Sequence, residues 1–357
     1  MAIELSNITF TNGDDVIPAS GVKEVILNTG VANTLAGNDR ITGVGPERIR
    51  IFSLPNYGIY NSGPLYTDDG NDTITGIYDE TAYSLHSGSY NSTFNDTGSI
   101  YINNTGSIDD YIDDYIDDYP RPLPPFPLSN YGILNSSTIA TGEGDDIIIG
   151  INTAVDYANI DPTDIYNPDN IGIDNVNTIN TGNGNDSIIS KGKFINRGGV
   201  FLGEGNDSII ADKGFFSGRR GIENYTMIET GDGNDTITSY GVIYNEGTIN
   251  TGDGNDSIIT ATIYGDFEGL GSVFLGNGKD YLKGFGSGDF NGGQDEDTLE
   301  LTLGGSYTVG ISGTAVSFTK GSSVMITSEF EKLIAGSIIY DFSSLTDGQT
   351  ITILAWG

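Results

Sequence analysis

A ten-residue string, TGDGNDSIIT at 251–260, recurs along this chain, and its register governs what the chain can become. Close copies stand at 141–150, 181–190, 202–211 and 230–239, with weaker ones at 10–19, 34–43, 67–76 and 275–284. The last aspartate of the turn falls at 15, 39, 72, 146, 186, 207, 235, 256 and 280. Two positions after it stands an aliphatic residue in every copy, such as Ile258. Seven positions before it stands another, such as Ile249, with Ala32 the small exception. Eleven positions before it stands Asn in seven copies: Asn28, Asn61, Asn135, Asn175, Asn196, Asn224 and Asn245. Such self-similarity marks a repeat architecture, in which each unit buries its apolar face against the next.

Alternating segments such as Ser257-Ile258-Ile259-Thr260 are strand-like, since helical spacing is absent. Each repeat therefore reads as a coil with two short strands reversed by the G-x-G-N-D turn. The aspartates lie 21, 24, 28, 33 or 40 residues apart over most of the chain, whereas the nine-residue half stays constant. Insertions must enter the other half, which predicts a parallel β-solenoid with one uniform and one variable edge. The widest gap, Asp72 to Asp146, holds the acidic repeat IDDYIDDYIDDY at 108–119 and the Pro-rich PRPLPPFPL at 120–128. It reads as an exposed insertion over about 77–135 within a solenoid of 1–298. Residues 299–357 leave the repeat and alternate as ordinary strands at 307–311, 315–319 and 324–327. A β-rich C-terminal cap over the last open strand edge is the expected role.

Composition narrows the function. The 357 residues include no Cys and one His, His86, so disulfides, cysteine zinc sites and His-rich metal sites are excluded. With 49 acidic against 15 basic residues the net charge is −34, which argues against nucleic acid. No apolar run approaches the ~18 residues of a membrane span. The opening MAIELSNITF lacks a basic segment followed by an apolar one, so no cleaved export signal is expected there. No H-E-x-x-H, nucleotide fingerprint or histidine-based catalytic constellation occurs, and the expectation is a protein that is not an enzyme.

Stacked coils place the aspartates in a column about 4.8 Å apart. Two unit charges about 5 Å apart repel by about 1–3 kcal/mol at effective dielectrics of ~80 to ~20. Two readings of the column follow. The aspartates either cap main-chain N–H groups without metal, or share cations that neutralise the stack. Glycines such as Gly252 and Gly254 let the turn curl and present carbonyl oxygens inward. Carboxylates with carbonyls, and no nitrogen or sulfur, suit a hard cation; calcium tolerates such irregular sites better than magnesium. Lys279, in the Asn slot of its copy, is expected to supply an internal cation there.

The G-x-G-N-D-x-I repeats resemble the glycine- and aspartate-rich nonapeptides of RTX (hemolysin-type) calcium-binding proteins, G-G-x-G-x-D-x-U-x. The resemblance covers about 1–300 and is strongest over 136–300. The tail at 327–351 resembles the ends of cyanobacterial hemolysin-type proteins. The family implies a right-handed parallel β-roll, calcium held between turns, and type I secretion read from the C-terminus. An extracellular or cell-surface location follows, with calcium as cofactor and a surface glycan as a candidate partner. The family's first glycine is Thr or Leu here, as at Thr251 and Leu202. Coils are mostly 21 residues or longer with the motif on one edge, so one row of calcium sites is expected, not two. The opposite turn's work falls to the Asn column, through amide stacking and capping. The candidate ligands are Asp39, Asp72, Gly142, Gly144, Asp146, Gly182, Gly184, Asp186, Gly203, Gly205, Asp207, Gly231, Gly233, Asp235, Gly252, Gly254, Asp256, Gly276, Gly278 and Asp280, with Asp289 and Asp297 from a shorter coil at 276–297. The expected function is a secreted calcium-binding structural or surface protein. The alternatives are an adhesin-like glycan- or ice-binding module and, third, a polysaccharide-active β-helix enzyme with a basic or tyrosine-lined groove.

Overall fold

The computed structural model describes residues 2–18, 24–45, 56–79, 92–94, 100–102, 130–153, 170–214, 219–261 and 267–354. Among them there is no α-helix, only strands and two short 3₁₀ turns, Leu5–Asn7 and Phe342–Ser344. Most strands lie in three long sheets of 9, 12 and 13 strands, paired in parallel through the repeats. The chain is an all-β parallel solenoid.

After the first coil, and as far as Phe267–Glu268, where the 9-stranded sheet ends, each coil contributes one strand to each sheet. In one coil these are Val242–Asn245, Thr248–Asn250 and Ser257–Thr260, in the 9-, 13- and 12-stranded sheets respectively. The coil is thus three-sided, where the sequence predicted two strands. The missed side has its own apolar column two residues before the Asn column: Ile26, Ile59, Ile133, Ile173, Phe194, Ile222 and Ile243, all fully buried. With the two columns read from sequence it forms one continuous core. The inward columns stay in register, Ile188 on Ile209, Ile179 on Val200, and Phe194 on Ile222, with shifts in the 9-stranded sheet only ahead of the column, at Ile171/Ile173 and Arg220/Ile222. Fully burying such a side chain contributes roughly 1.5–3 kcal/mol.

Two of the three corners have constant length. The Asn column turns the first, four residues before the next inward aliphatic, as from Asn224 to Ile228. The G-x-G-N-D turn makes the second. All length variation enters the third, between the 12-stranded and 9-stranded sheets. It takes 6 residues from Ile237 to Ile243 and 59 from Ile74 to Ile133. Within the long insertion, Ser92–Phe94 pairs antiparallel with Ile100–Ile102; the acidic repeat, the Pro-rich run and His86 lie outside the described residues.

At the C-terminal end the strands at 307–311, 315–319 and 324–327 expected from sequence appear as Gly305–Ser312, Ala315–Lys320 and Ser323–Ser328. They form an antiparallel set with Thr350–Ile353. Ser323–Ser328 extends the 13-stranded sheet by pairing parallel with Gly288–Gln294. Lys332–Ala335 does the same for the 12-stranded sheet against Thr298–Leu301. Tyr307 meets Phe285 edge-on at 4.9 Å, so the cap shares the solenoid core.

A candidate metal column in the G-x-G-N-D turns

The Asn corner is a ladder of side-chain amides. From Asn28 to Asn224 each Nδ2 donates to Oδ1 of the Asn one coil on: Asn135 to Asn175 at 2.7 Å, Asn196 to Asn224 at 2.9 Å, and Asn224 to Asn245 at 2.8 Å. The second Nδ2 hydrogen reaches a main-chain carbonyl of that next coil, as from Asn224 to Thr248 at 3.0 Å. The amide stacking expected from sequence is therefore present, and it needs no ion.

The opposite corner is built from carboxylates. Asp39, Asp72, Asp146, Asp186, Asp207, Asp235, Asp256, Asp280 and Asp297 form one buried file, each no more than 2 % exposed. Each Oδ1 accepts from the main-chain N–H of the aspartate one coil earlier, at 2.8 Å for Asp186 to Asp207, Asp207 to Asp235 and Asp235 to Asp256. The residue just before runs a second ladder in the other direction. The Asn234 N–H donates to Asn206 Oδ1, and the Asn255 N–H to Asn234 Oδ1, both at 2.8 Å. The N-D pair thus satisfies turn N–H groups upward with one side chain and downward with the other.

The Thr that replaces the family's first glycine has its own task. Thr141, Thr181, Thr230 and Thr251 are buried, and each hydroxyl donates to the carbonyl one coil on, as from Thr251 to Leu275 at 2.8 Å. The glycines carry the positive φ of the turn, +99° at Gly252 and +148° at Gly254. The departures Leu35 and Asp68 adopt the same left-handed backbone, with φ of +68° and +58°. The named glycine carbonyls point along the axis at the next coil's glycine, so a Cβ on Gly254 would fall 1.6 Å from Gly233 O.

What the file leaves unsatisfied is one oxygen per carboxylate. Oδ2 of all nine aspartates is buried without a hydrogen-bond partner. Burial pushes the carboxyls of Asp146, Asp207 and Asp256 up to about 7, and those of Asp72, Asp280 and Asp297 up to about 6. Asp186 and Asp235 are raised for the same reason. The neighbouring Thr hydroxyl, at Asp72, Asp146, Asp186, Asp235 and Asp256, and the N–H bond to Oδ1 oppose the shift without cancelling it. A row of orphaned hard oxygens fits a cation of the calcium type. Among the described residues no three acidic or histidine side chains converge on one point. An ion here would draw on stacked Oδ2 atoms in pairs and complete its shell with carbonyl or water oxygens.

Two sequence expectations are corrected. Asp289 does not join the file: it lies exposed on the strand Gly288–Gln294, paired with Ser272 on one side and Ile326 on the other. Its coil is short because it has no strand in the 9-stranded sheet, and the chain runs from Tyr281–Lys283 to Gly288–Gln294 without a second carboxylate turn. Lys279 is exposed; its N–H donates to Asn255 Oδ1, and its charge adds to the Lys332 bond that holds the Glu296 carboxyl below its ordinary value. The position before the file faces out of the turn, so its side chain cannot serve as an internal cation.

A second polar cluster covers the 9-stranded sheet. Six of the 15 basic residues fall between 191 and 220. Buried Lys193 pairs with Glu223 at 2.6 Å, Arg197 pairs with Asp174, and Arg220 pairs with Glu268 at 2.8 Å while lying 3.7 Å from the Tyr244 ring centroid. These cations are spent on neighbouring carboxylates, so the cluster is not an open basic groove.

The chain matches no family model and no curated protein at a significant level. No helix among the described residues is long and apolar enough to cross a membrane.

Proposed function

We propose that this chain is a secreted calcium-binding repeat protein in which ion binding along the aspartate file stabilises the stacked coils. The supporting observation is the file of nine buried Oδ2 atoms with no partner. Leaving a buried polar atom unpaired costs about 1–3 kcal/mol, and more when it is charged. The ion supplies the positive charge that such a stack lacks. Asp146, Asp186, Asp207, Asp235 and Asp256 would hold it in the regular part, with Asp39, Asp72, Asp280 and Asp297 towards the ends. Because the unfolded chain has no such file, binding free energy becomes folding free energy. An extracellular or cell-surface role, with export read from the C-terminus, follows from the resemblance of the repeats to RTX proteins.

Circular dichroism in EDTA, followed by calcium titration with magnesium as control, tests this. The expected result is a calcium-specific gain of β-signal or of melting temperature, with several ions bound by calorimetry. A protein that folds fully in EDTA and binds no calcium rejects the proposal.

One observation favours a binding role on the surface as well. In six successive coils the first two outward side chains of the 12-stranded sheet are Thr73 and Thr75, Ile147 and Ile149, Ser187 and Ile189, Ser208 and Ile210, Thr236 and Thr238, and Ser257 and Ile259. These twelve positions carry no charge in a chain of net charge −34, whereas Arg40, Lys283 and Glu300 hold the equivalent positions in other coils and Lys191 follows Ile189 on the same face. An adhesin-like module that meets a glycan or ice surface would use it. Thr238→Lys and Ile210→Lys would then abolish retention on insoluble glycan or ice without changing the melting temperature.

A further inference from the structure

The aspartate file does not end on a copy of itself. The N–H of Asp297 donates at 2.8 Å to Oε2 of Glu331, a residue of the cap, where every earlier aspartate finds the next aspartate. The Glu331 and Lys332 N–H groups both return to Asp297 O, at 3.2 and 2.9 Å. Asp297 is fully buried and its Oδ2 has no partner. This coil also differs at the position that holds a Thr or Leu side chain elsewhere: it has Gly292. A Cβ on Gly292 would lie 2.0 Å from Glu329 O and 2.8 Å from Asp297 Oδ2. Both oxygens therefore face the same space above its α-carbon. The acidic side chains of Asp295, Glu329 and Glu331 are exposed around it, which gives an ion access from solvent. Lys332 is turned away to Glu296 at 2.6 Å.

We infer that the junction of solenoid and cap is a separate calcium site, formed by Asp297 Oδ2, the Glu331 carboxylate and the Glu329 main-chain carbonyl. The inference rests on the calcium reading of the file. Its consequence is distinct, because the ligands come from both sides of the junction. Calcium bound there fastens the cap to the last coil, whereas calcium in the file stacks coil on coil.

Hydrogen exchange on the full-length chain, with and without calcium, tests the site. The segments to follow are 324–341 in the cap and 181–260 in the repeats. In the unaltered protein calcium is expected to slow both at least tenfold. Glu331→Gln keeps an oxygen that accepts the Asp297 N–H but removes the charge. In that variant the repeats should still respond, the cap should exchange as in calcium-free unaltered protein, and calorimetry should count one ion fewer. Glu331→Asp, which keeps the charge, should restore part of the cap response. A Glu331→Gln cap that still slows tenfold with an unchanged ion count overturns the inference. So does a cap already loosened by Glu331→Gln in EDTA, which would make Glu331 a hydrogen-bond clamp alone. If neither segment of the unaltered protein responds to calcium, the calcium reading of the whole file fails, a result distinguishable from failure at the junction.

Discussion

Asp256 Oδ1 accepts the main-chain N–H of Asp235 at 2.8 Å, while Asp256 Oδ2, equally buried, has no partner. One carboxylate therefore does two kinds of work. Its first oxygen closes the turn of the preceding coil whether or not metal is present. Its second is left for a proton, a water or a cation, because the nearby Thr251 hydroxyl donates instead to Leu275 O at 2.8 Å.

Asp256→Asn separates these roles. The amide keeps Oδ1 and removes the charge. In EDTA at pH 8 the variant should melt higher than the unaltered protein, since one buried charge is gone. In saturating calcium it should melt lower, with fewer ions bound by calorimetry. A rise in both conditions would leave the file as a metal-free cap.

The raised carboxyls set a pH dependence for the metal-free protein. A buried Asp with a folded pKa of about 7, such as Asp146 or Asp207, binds more protons folded than unfolded between about pH 4 and 7. Its contribution is fully present below the unfolded value and is lost as pH rises through the folded one. Chemical denaturation in EDTA should therefore show greater stability at pH 5 than at pH 8. Calcium should reverse that order and release protons on binding, readable as a buffer-dependent heat.

Asn224→Ala breaks the opposite corner. It leaves Asn196 Nδ2 bonded to Met227 O, strands Asn245 Oδ1, and removes the bond to Thr248 O. Each orphaned buried group costs about 1–3 kcal/mol, so a loss of several kcal/mol is expected in urea denaturation, with or without calcium. Asn255→Ala, on the exposed outer ladder, should cost less than about 1 kcal/mol.

Gly254→Ala tests the turn itself. It meets both a φ of +148° and the Gly233 carbonyl 1.6 Å from the new Cβ, so the stacking must open. Gly313→Ala has a positive φ of +65° but nothing within 4 Å. Thermal melting should show a large loss for the first and about 1 kcal/mol for the second.

Much of this architecture was legible because parallel stacking turns register into chemistry. Identical offsets from Asp256 to Ile258, Ile249 and Asn245 had to become columns, and they did. The third side is less legible because its apolar column, Ile26 to Ile243, lies two residues before Asn, in the half of the repeat whose length varies. That offset would have shown a third inward strand. Thr251 read as a departure from a glycine pattern, since a hydroxyl bonding the next coil's carbonyl appears only when coils are stacked. Glu331 lay outside any repeat, so its place at the end of the file could be found only in three dimensions. Asp289 failed for the opposite reason: a G-x-G-D string looks like a turn until strand pairing with Ser272 claims it.

The corner between the 12-stranded and 9-stranded sheets accepts 6 residues at Ile237 to Ile243 and 59 at Ile74 to Ile133 with the same coil on either side. Every such addition emerges along one line parallel to the axis, away from both side-chain ladders. The protein is thus built like a display rail. Lineages can lengthen, swap or erase what hangs from that line without renegotiating the fold, and an engineer could graft peptides there at intervals set by the coil rise.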